Sequence, residues 1–171
     1  MRAGIIGFGQ IVHGRTDSGP LPMFHLEAFG SHANRVKIVA VEEPDALLRE
    51  YVTEVLPGAR VYANHLEMLM AETLEEVSIC SPDTLHARHL IDAVEAGVLG
   101  IWCEKPMATT TGELDSIECL AKSRLMPKIQ VNYWRRFVPE IADLRARIAD
   151  REFGGINCIT GYYPDGWSRN G

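Results

Sequence analysis

Apolar runs of strand length alternate with helix-period segments along most of this chain, and that alternation leaves few folds open. Short runs rich in branched residues occur at 3–6, 36–41, 77–80, 99–103 and 129–133. Several are apolar on both faces, as strands covered by helices on both sides must be. Between them, Ala87, Leu90, Ile91, Val94 and Val98 mark one helical stripe, and Leu114, Ile117, Ala121 and Leu125 mark another. The second is introduced by Thr110-Thr111-Gly112-Glu113, a capping box in which Thr and Glu each satisfy the other's free backbone donor. The order predicts an α/β fold with a parallel sheet and right-handed crossovers. A chain of 171 residues has room for one such core without disulfides or a metal.

Beyond Tyr133 the pattern changes. A helix-like segment with Ile141, Leu144 and Ile148 leads to Gly154-Gly155, and then one run of β character extends from Ile156 to Tyr163. No helix follows it. The expected organisation is therefore one α/β domain over 1–133, the part that carries the candidate binding motifs below, then a linker helix and the first strand of an incomplete α+β domain over 134–171.

Charge and targeting narrow the partners. The 17 Lys and Arg against 23 Asp and Glu leave a formal charge of −6, which argues against nucleic acid. No apolar run approaches the roughly 18 residues of a membrane span, and the N-terminus is too quickly broken by glycine for a signal peptide. A cytoplasmic protein acting on a small molecule, away from membranes, is the expectation. Cys80, Cys103, Cys119 and Cys158 form no C-x-x-C pair, so buried free thiols are expected rather than zinc. His86 and His89 have helical spacing but no further ligand, so no metal site is expected.

The first run ends in Gly7-Phe8-Gly9-Gln10-Ile11-Val12, a G-x-G turn where a strand hands over to a helix. In a dinucleotide site the first glycine allows the tight turn, and the second lets the backbone approach the pyrophosphate. Val12 stands where a third Gly or Ala is usual. Glu42 and Glu43 close the second run, where an acid can accept from the adenosine ribose hydroxyls; a solvated acidic turn is the alternative. Glu43 lies further on than the usual interval of about 20 residues. The stretch 14–23, with Gly14, Gly19, Pro20 and Pro22, reads as a loop inserted in the first crossover. Pro44 and Asp45 follow Glu43, with no adjacent cation, which favours NAD over NADP. Ser81-Pro82-Asp83-Thr84-Leu85-His86 and Trp102-Cys103-Glu104-Lys105-Pro106 each follow a strand, on the edge where open α/β sheets bind ligands. Lys105 there is either a proton donor at a reacting carbonyl or a surface lysine paired with Glu104.

Gly7-Phe8-Gly9, Ser81-Pro82-Asp83 with His86, Glu95-Ala96-Gly97, Cys103-Glu104-Lys105-Pro106, and Arg135-Arg136-Phe137 with Pro139 together resemble the glucose-fructose oxidoreductase, inositol dehydrogenase and rhizopine catabolism (Gfo/Idh/MocA) family, from Met1 to about Tyr163. The resemblance implies a Rossmann-type doubly wound sheet followed by the truncated start of the substrate domain. It implies a nicotinamide-dependent dehydrogenase of sugars, cyclitols or related polyols. Lys105 would work at the reacting hydroxyl or carbonyl, and Glu104, Lys105 and Pro106 would border the nicotinamide. Ser81, Pro82, Asp83 and His86 would border the cofactor, while Phe8, Gln10 and Ile11 would lie at its pyrophosphate. His86 also reads as a structural histidine. The family's second domain, which carries substrate contacts and leaves room for a homo-oligomer, is not found beyond Tyr163. Two other readings stay open: a non-catalytic NAD-binding module or partner subunit, and a glycosidase that uses NAD without net redox change.

Overall fold

A computed structural model of the chain describes residues 1–14, 24–123 and 126–162. It divides into one unit, Met1–Asn132, and a second, Tyr133–Gly171. Six strands form the sheet of the first unit: β1 (Arg2–Ile6), β2 (Lys37–Glu42), β3 (Arg60–Tyr62), β4 (Glu76–Ile79), β5 (Gly100–Cys103) and β6 (Lys128–Val131). Their order is β3-β2-β1-β4-β5-β6, and every pairing is parallel. The chain builds outward from β1 to β3, then returns to place β4 on the other side of β1. That reversal parts the loops above β1 and β4 and opens a crevice at their carboxyl ends.

Helices α1 (Gln10–His13), α2 (His25–Ser31), α3 (Ala46–Val55), α4 (His65–Ala71), α5 (His86–Glu95) and α6 (Thr111–Ser123) link the strands. Side chains of neighbouring strand residues point to opposite faces. Accordingly Ile6 and Ala40 join a core with Met68, Leu90, Val94 and Ile117, while Ile5 and Val41 join another with Phe8, Val12, Phe29 and Val52. Two covered faces explain why the strands read as continuous apolar runs. The stripe of α5 is as expected: Ala87, Leu90 and Val94 are buried, and Val98 just beyond it is also buried.

Several expectations change. The short edge strand β3 has no counterpart among the expected runs, because three residues beginning with a charged arginine carry no periodicity. On α6 the buried contact is Ile117, with Leu120 packed beside it. Leu114 is exposed and so is Ala121, because the helix meets α5 along a line offset from the expected stripe. The capping box does form: the Glu113 carboxylate accepts from the N–H groups of Thr109 (2.7 Å) and Thr110 (3.1 Å), and Thr110 Oγ1 accepts from Glu113 N–H at 3.3 Å. Cys80 and Cys103 are buried free thiols, but Cys119 and Cys158 are exposed. They lie on outward surfaces, not in either core. Most of the expected inserted loop, 15–23, falls outside the described residues, as does Leu125.

In the second unit a 3₁₀ turn, Trp134–Phe137, precedes α7 (Pro139–Ala149). Pro139 opens the helix, where its missing N–H costs nothing. None of the α7 residues is buried. Residues 156–162 carry no strand pairing, in contrast to the strand expected from Ile156 to Tyr163. A strand needs a neighbour to take its backbone hydrogen bonds, and the described residues of this unit supply none. No described helix is long and apolar enough to cross a membrane.

Candidate functional site

The end of β1 is held against the end of β4 by a glycine with no alternative. Gly7 has φ +83°, and a Cβ there would lie 2.7 Å from both Ser81 N and Cα. Gly9 is different. Its backbone is extended, with φ −74° and ψ −175°, and among the described residues a Cβ would meet nothing within 4 Å. None of the described residues requires glycine there, and the first turn of α1 leaves N–H groups without intrahelical partners. Above this turn lies a groove of about 560 Å³. Its floor is Gly7, Gly9, Gln10 and Ile11; one wall is Glu42, Glu43, Pro44, Ala63 and Asn64, and the other is Cys80, Ser81, Pro82, Leu85 and His89.

Both acids at the end of β2 are buried and tied to the glycine turn. Gly7 N–H donates to Glu42 O (2.9 Å) and Glu42 Oε2 (3.2 Å). Burial pushes the Glu42 carboxyl above its usual range, opposed by the Gly7 bond and by nearby His65. Glu43 Oε2 accepts from Phe8 N–H at 2.7 Å and Oε1 from Asp45 N–H at 2.9 Å. Each carboxylate oxygen keeps a second lone pair for a ligand hydroxyl. Arg49 turns back from α3 to donate to the carbonyls of Glu43 (2.9 Å) and Pro44 (2.7 Å). This cation beside the acidic turn escapes a reading of the sequence, since only the start of α3 at Ala46, capped by Asp45, brings a residue six positions on back to Glu43.

At the end of β5 the acid and the lysine part company. Glu104 is buried, and its Oε1 accepts from His25 Nε2 at 2.9 Å and from the Asn132 amide. Its Oε2 accepts from Lys105 N–H at 3.3 Å. His25 Nδ1 meets Ser78 Oγ at 2.7 Å, and the imidazole lies on Trp102 with centroids 4.0 Å apart. Burial alone would raise the Glu104 carboxyl, but the bonds from His25 and Asn132 hold it below the usual range. Glu104 therefore braces the strand end, and Lys105 makes no ion pair with it. The Lys105 side chain is exposed, and the peptide to Pro106 is cis. His86, also buried, spans two loops, with Nε2 2.7 Å from Ser81 O and Nδ1 2.6 Å from Pro106 O.

Of the residues singled out by sequence, Gly7, Gly9, Gln10, Ile11, Glu43, Ser81 and Pro82 meet on the groove. Phe8 does not: its ring is wholly buried in the core around Val12 and Val52, because an aromatic ring gains more there than beside an anion. Asp83 lies exposed in a 3₁₀ turn, its carboxylate taken by Thr84 N–H at 2.8 Å. His86, Glu104, Lys105 and Pro106 stand off the groove lining. His89 and Asn64, on that lining, are not among the cofactor contacts expected from sequence; no sequence signal separates them from ordinary helix-end residues.

Comparison with known proteins agrees with this architecture. Residues 1–133 match the family described as an oxidoreductase family with an NAD-binding Rossmann fold. An inositol 2-dehydrogenase of Corynebacterium glutamicum is 29% identical over 163 residues, covering 95% of this chain and 45% of that protein. The rhizopine catabolism protein MocA of Rhizobium meliloti is 30% identical over 152 residues, covering 89% of this chain and 46% of that protein. Among solved structures, the WlbA dehydrogenase from Chromobacterium violaceum, in complex with NADH and UDP-GlcNAcA, superposes with a TM-score of 0.75 at 25% identity, covering 90% of this chain and 41% of that one. The chain thus spans about 45% of the length of the curated relatives it matches.

Proposed function

The chain belongs to the Gfo/Idh/MocA oxidoreductase family, and from that premise we propose that it forms the cofactor-binding part of an NAD-dependent dehydrogenase of sugars, cyclitols or related polyols. The observation that carries the reading is the open space over Gly9, set between the buried acid Glu43 and Ser81 on one groove. A pyrophosphate fits such a cradle, and the adenosine ribose fits the remaining lone pairs of Glu43. Ser81 and Pro82 border the rest of the dinucleotide. When bound, the nicotinamide supplies the carbon that exchanges hydride with the substrate.

The residues of the chain do the rest. Glu104, fastened by His25 and Asn132, receives Lys105 N–H and so orients the segment that carries the lysine. Lys105 holds the proton that leaves or joins the substrate oxygen as hydride moves, a role that polarises the reacting C–O bond. The Glu43 carboxylate, beside the proposed ribose, opposes a 2′-phosphate, which favours NAD over NADP. The inositol dehydrogenases among the relatives support a polyol as substrate. Residues 134–171 belong, in this reading, to the linker helix and start of the substrate domain. Calorimetry of NAD on this chain tests the cofactor, with micromolar or tighter binding expected. Lys105→Ala, in a protein carrying a full substrate domain, tests the chemistry. It should lower kcat by at least about 100-fold, the usual scale of acid–base catalysis, with little change in NAD affinity. A near-normal kcat would make Lys105 a surface residue.

A further inference from the structure

The groove has one buried polar side chain that neither the fold nor the proposed chemistry uses. His89 is 6% exposed and lines the groove. Its orientation is held from both sides: Nδ1 lies 2.9 Å from Ser81 Oγ, and its ring packs on His65 with centroids 4.2 Å apart. His65 is itself fixed by Asp92 Oδ2 at 2.8 Å, which also accepts from Arg88 Nε at 2.8 Å. His86, one turn earlier on the same helix, has both nitrogens engaged. Among the described residues, His89 has a hydrogen-bond partner at Nδ1 only. Among the described residues no buried side-chain nitrogen or oxygen lacks a partner, so the unpartnered Nε2 reaches open space, and the space it borders is the groove.

The chemistry of that nitrogen defines what it can receive. Burial, reinforced by His65, pushes the His89 imidazole down to about 4, so it is neutral near pH 7. Arg88, His86, Asp92 and His65 are the charged or titratable groups around it. A neutral imidazole offers a hydrogen bond without a charge, which suits a heteroaromatic base better than a phosphate. Position selects the half of the ligand. His89 stacks on His65, which follows Asn64 just beyond β3, on the same side of the sheet as Glu43. Pro44, Ala63 and Leu85 also line the groove, giving apolar faces for a planar ring.

We propose that His89 is a base-reading residue for the adenosine half of the dinucleotide: the Ser81 hydroxyl donates to Nδ1, and Nε2–H donates to a ring nitrogen of adenine. This rests on the reading of the groove as an NAD site. His89→Phe keeps the ring on His65 and removes the donor. It should weaken NAD and ADP-ribose alike by about 3- to 10-fold, the worth of one neutral hydrogen bond, with an unchanged Tm. ¹⁵N resonances of the unaltered protein provide a readout that needs no variant, and the Nε2 signal of His89 should move on addition of ADP-ribose. Unchanged affinities in a folded His89→Phe protein, a loss for NAD without one for ADP-ribose, or a stationary Nε2 signal would each overturn the assignment while leaving the NAD site in place. Failure of the unaltered chain to bind either ligand would instead remove the NAD reading itself.

Discussion

The two glycines of the first turn should fail in opposite ways when given a methyl group. At Gly7, alanine must adopt φ near +83°, a left-handed conformation that costs an L residue roughly 1–2 kcal/mol. Its Cβ would also stand 2.7 Å from the backbone of Ser81, so the segments leaving β1 and β4 must part just beyond their last pair, Ile6 and Ile79, an overpacking cost of about 1–3 kcal/mol. Together these give about 2–5 kcal/mol, or a fall in Tm of about 5–20 °C for a domain of this size. At Gly9 neither cost arises, since φ is −74° and a Cβ has no neighbour within 4 Å among the described residues. Gly9→Ala should leave Tm unchanged or raise it slightly, because alanine has less freedom to lose from the unfolded chain. Binding is where it should fail: a methyl between the pyrophosphate and the first N–H groups of α1 costs at least one charge-assisted hydrogen bond, about 1.5–3 kcal/mol or about 10- to 150-fold in Kd. Thermal denaturation and calorimetry on Gly7→Ala and Gly9→Ala separate the effects. If folded Gly9→Ala binds NAD normally, or if both variants lose the same stability, the cradle argument is wrong.

Other outcomes follow from the acids and the core. Glu43→Ser with Pro44→Arg should move the NAD to NADP affinity ratio at least about tenfold toward NADP, since a cation replaces an anion beside the ribose; calorimetry at one salt concentration measures it, and an unmoved ratio would place the ribose elsewhere. Glu104 is held below the ordinary carboxylate range, so as pH falls the unfolded chain takes up its proton first. Its contribution to stability is therefore full above the unfolded value and is lost as pH drops through the folded one. Asn132→Ala, which removes one of the bonds lowering that carboxyl, should raise the midpoint of acid unfolding followed by circular dichroism. Leu90→Ala, at a wholly buried position, should cost about 2–5 kcal/mol in urea unfolding, and less than about 1 kcal/mol would show a core that collapses onto the gap.

Much of the architecture was legible because periodicity is a local property. The five apolar runs became β1, β2, β4, β5 and β6, and the α5 stripe became its buried face, since both follow from the alternation of side chains along a strand or around a helix. The capping box at Thr110 was legible for the same reason: its partners are neighbours in the chain. Where the pattern was thin, tertiary contacts decided. Three residues of β3 form a strand only because β2 offers an edge, while 156–162 have β-prone residues and no partner among the described residues.

The candidate site divides along the same line. The chain itself determined that a glycine turn, an acid and two strand-end loops exist in the order a dinucleotide site requires. It could not determine which side chains face the ligand, since that depends on residues far apart in sequence. Phe8 sits in the middle of the turn yet turns into the core, and Glu104 sits beside Lys105 yet is taken by His25 and Asn132. Arg49 and His89 carry no cofactor motif; only the helices that hold them bring Arg49 back to the carbonyls of Glu43 and Pro44 and His89 onto the groove. Local sequence encodes backbone conformation through sterics and hydrogen bonding between neighbours. The direction of each functional side chain is set when burial and charge pairing are resolved across the whole sheet.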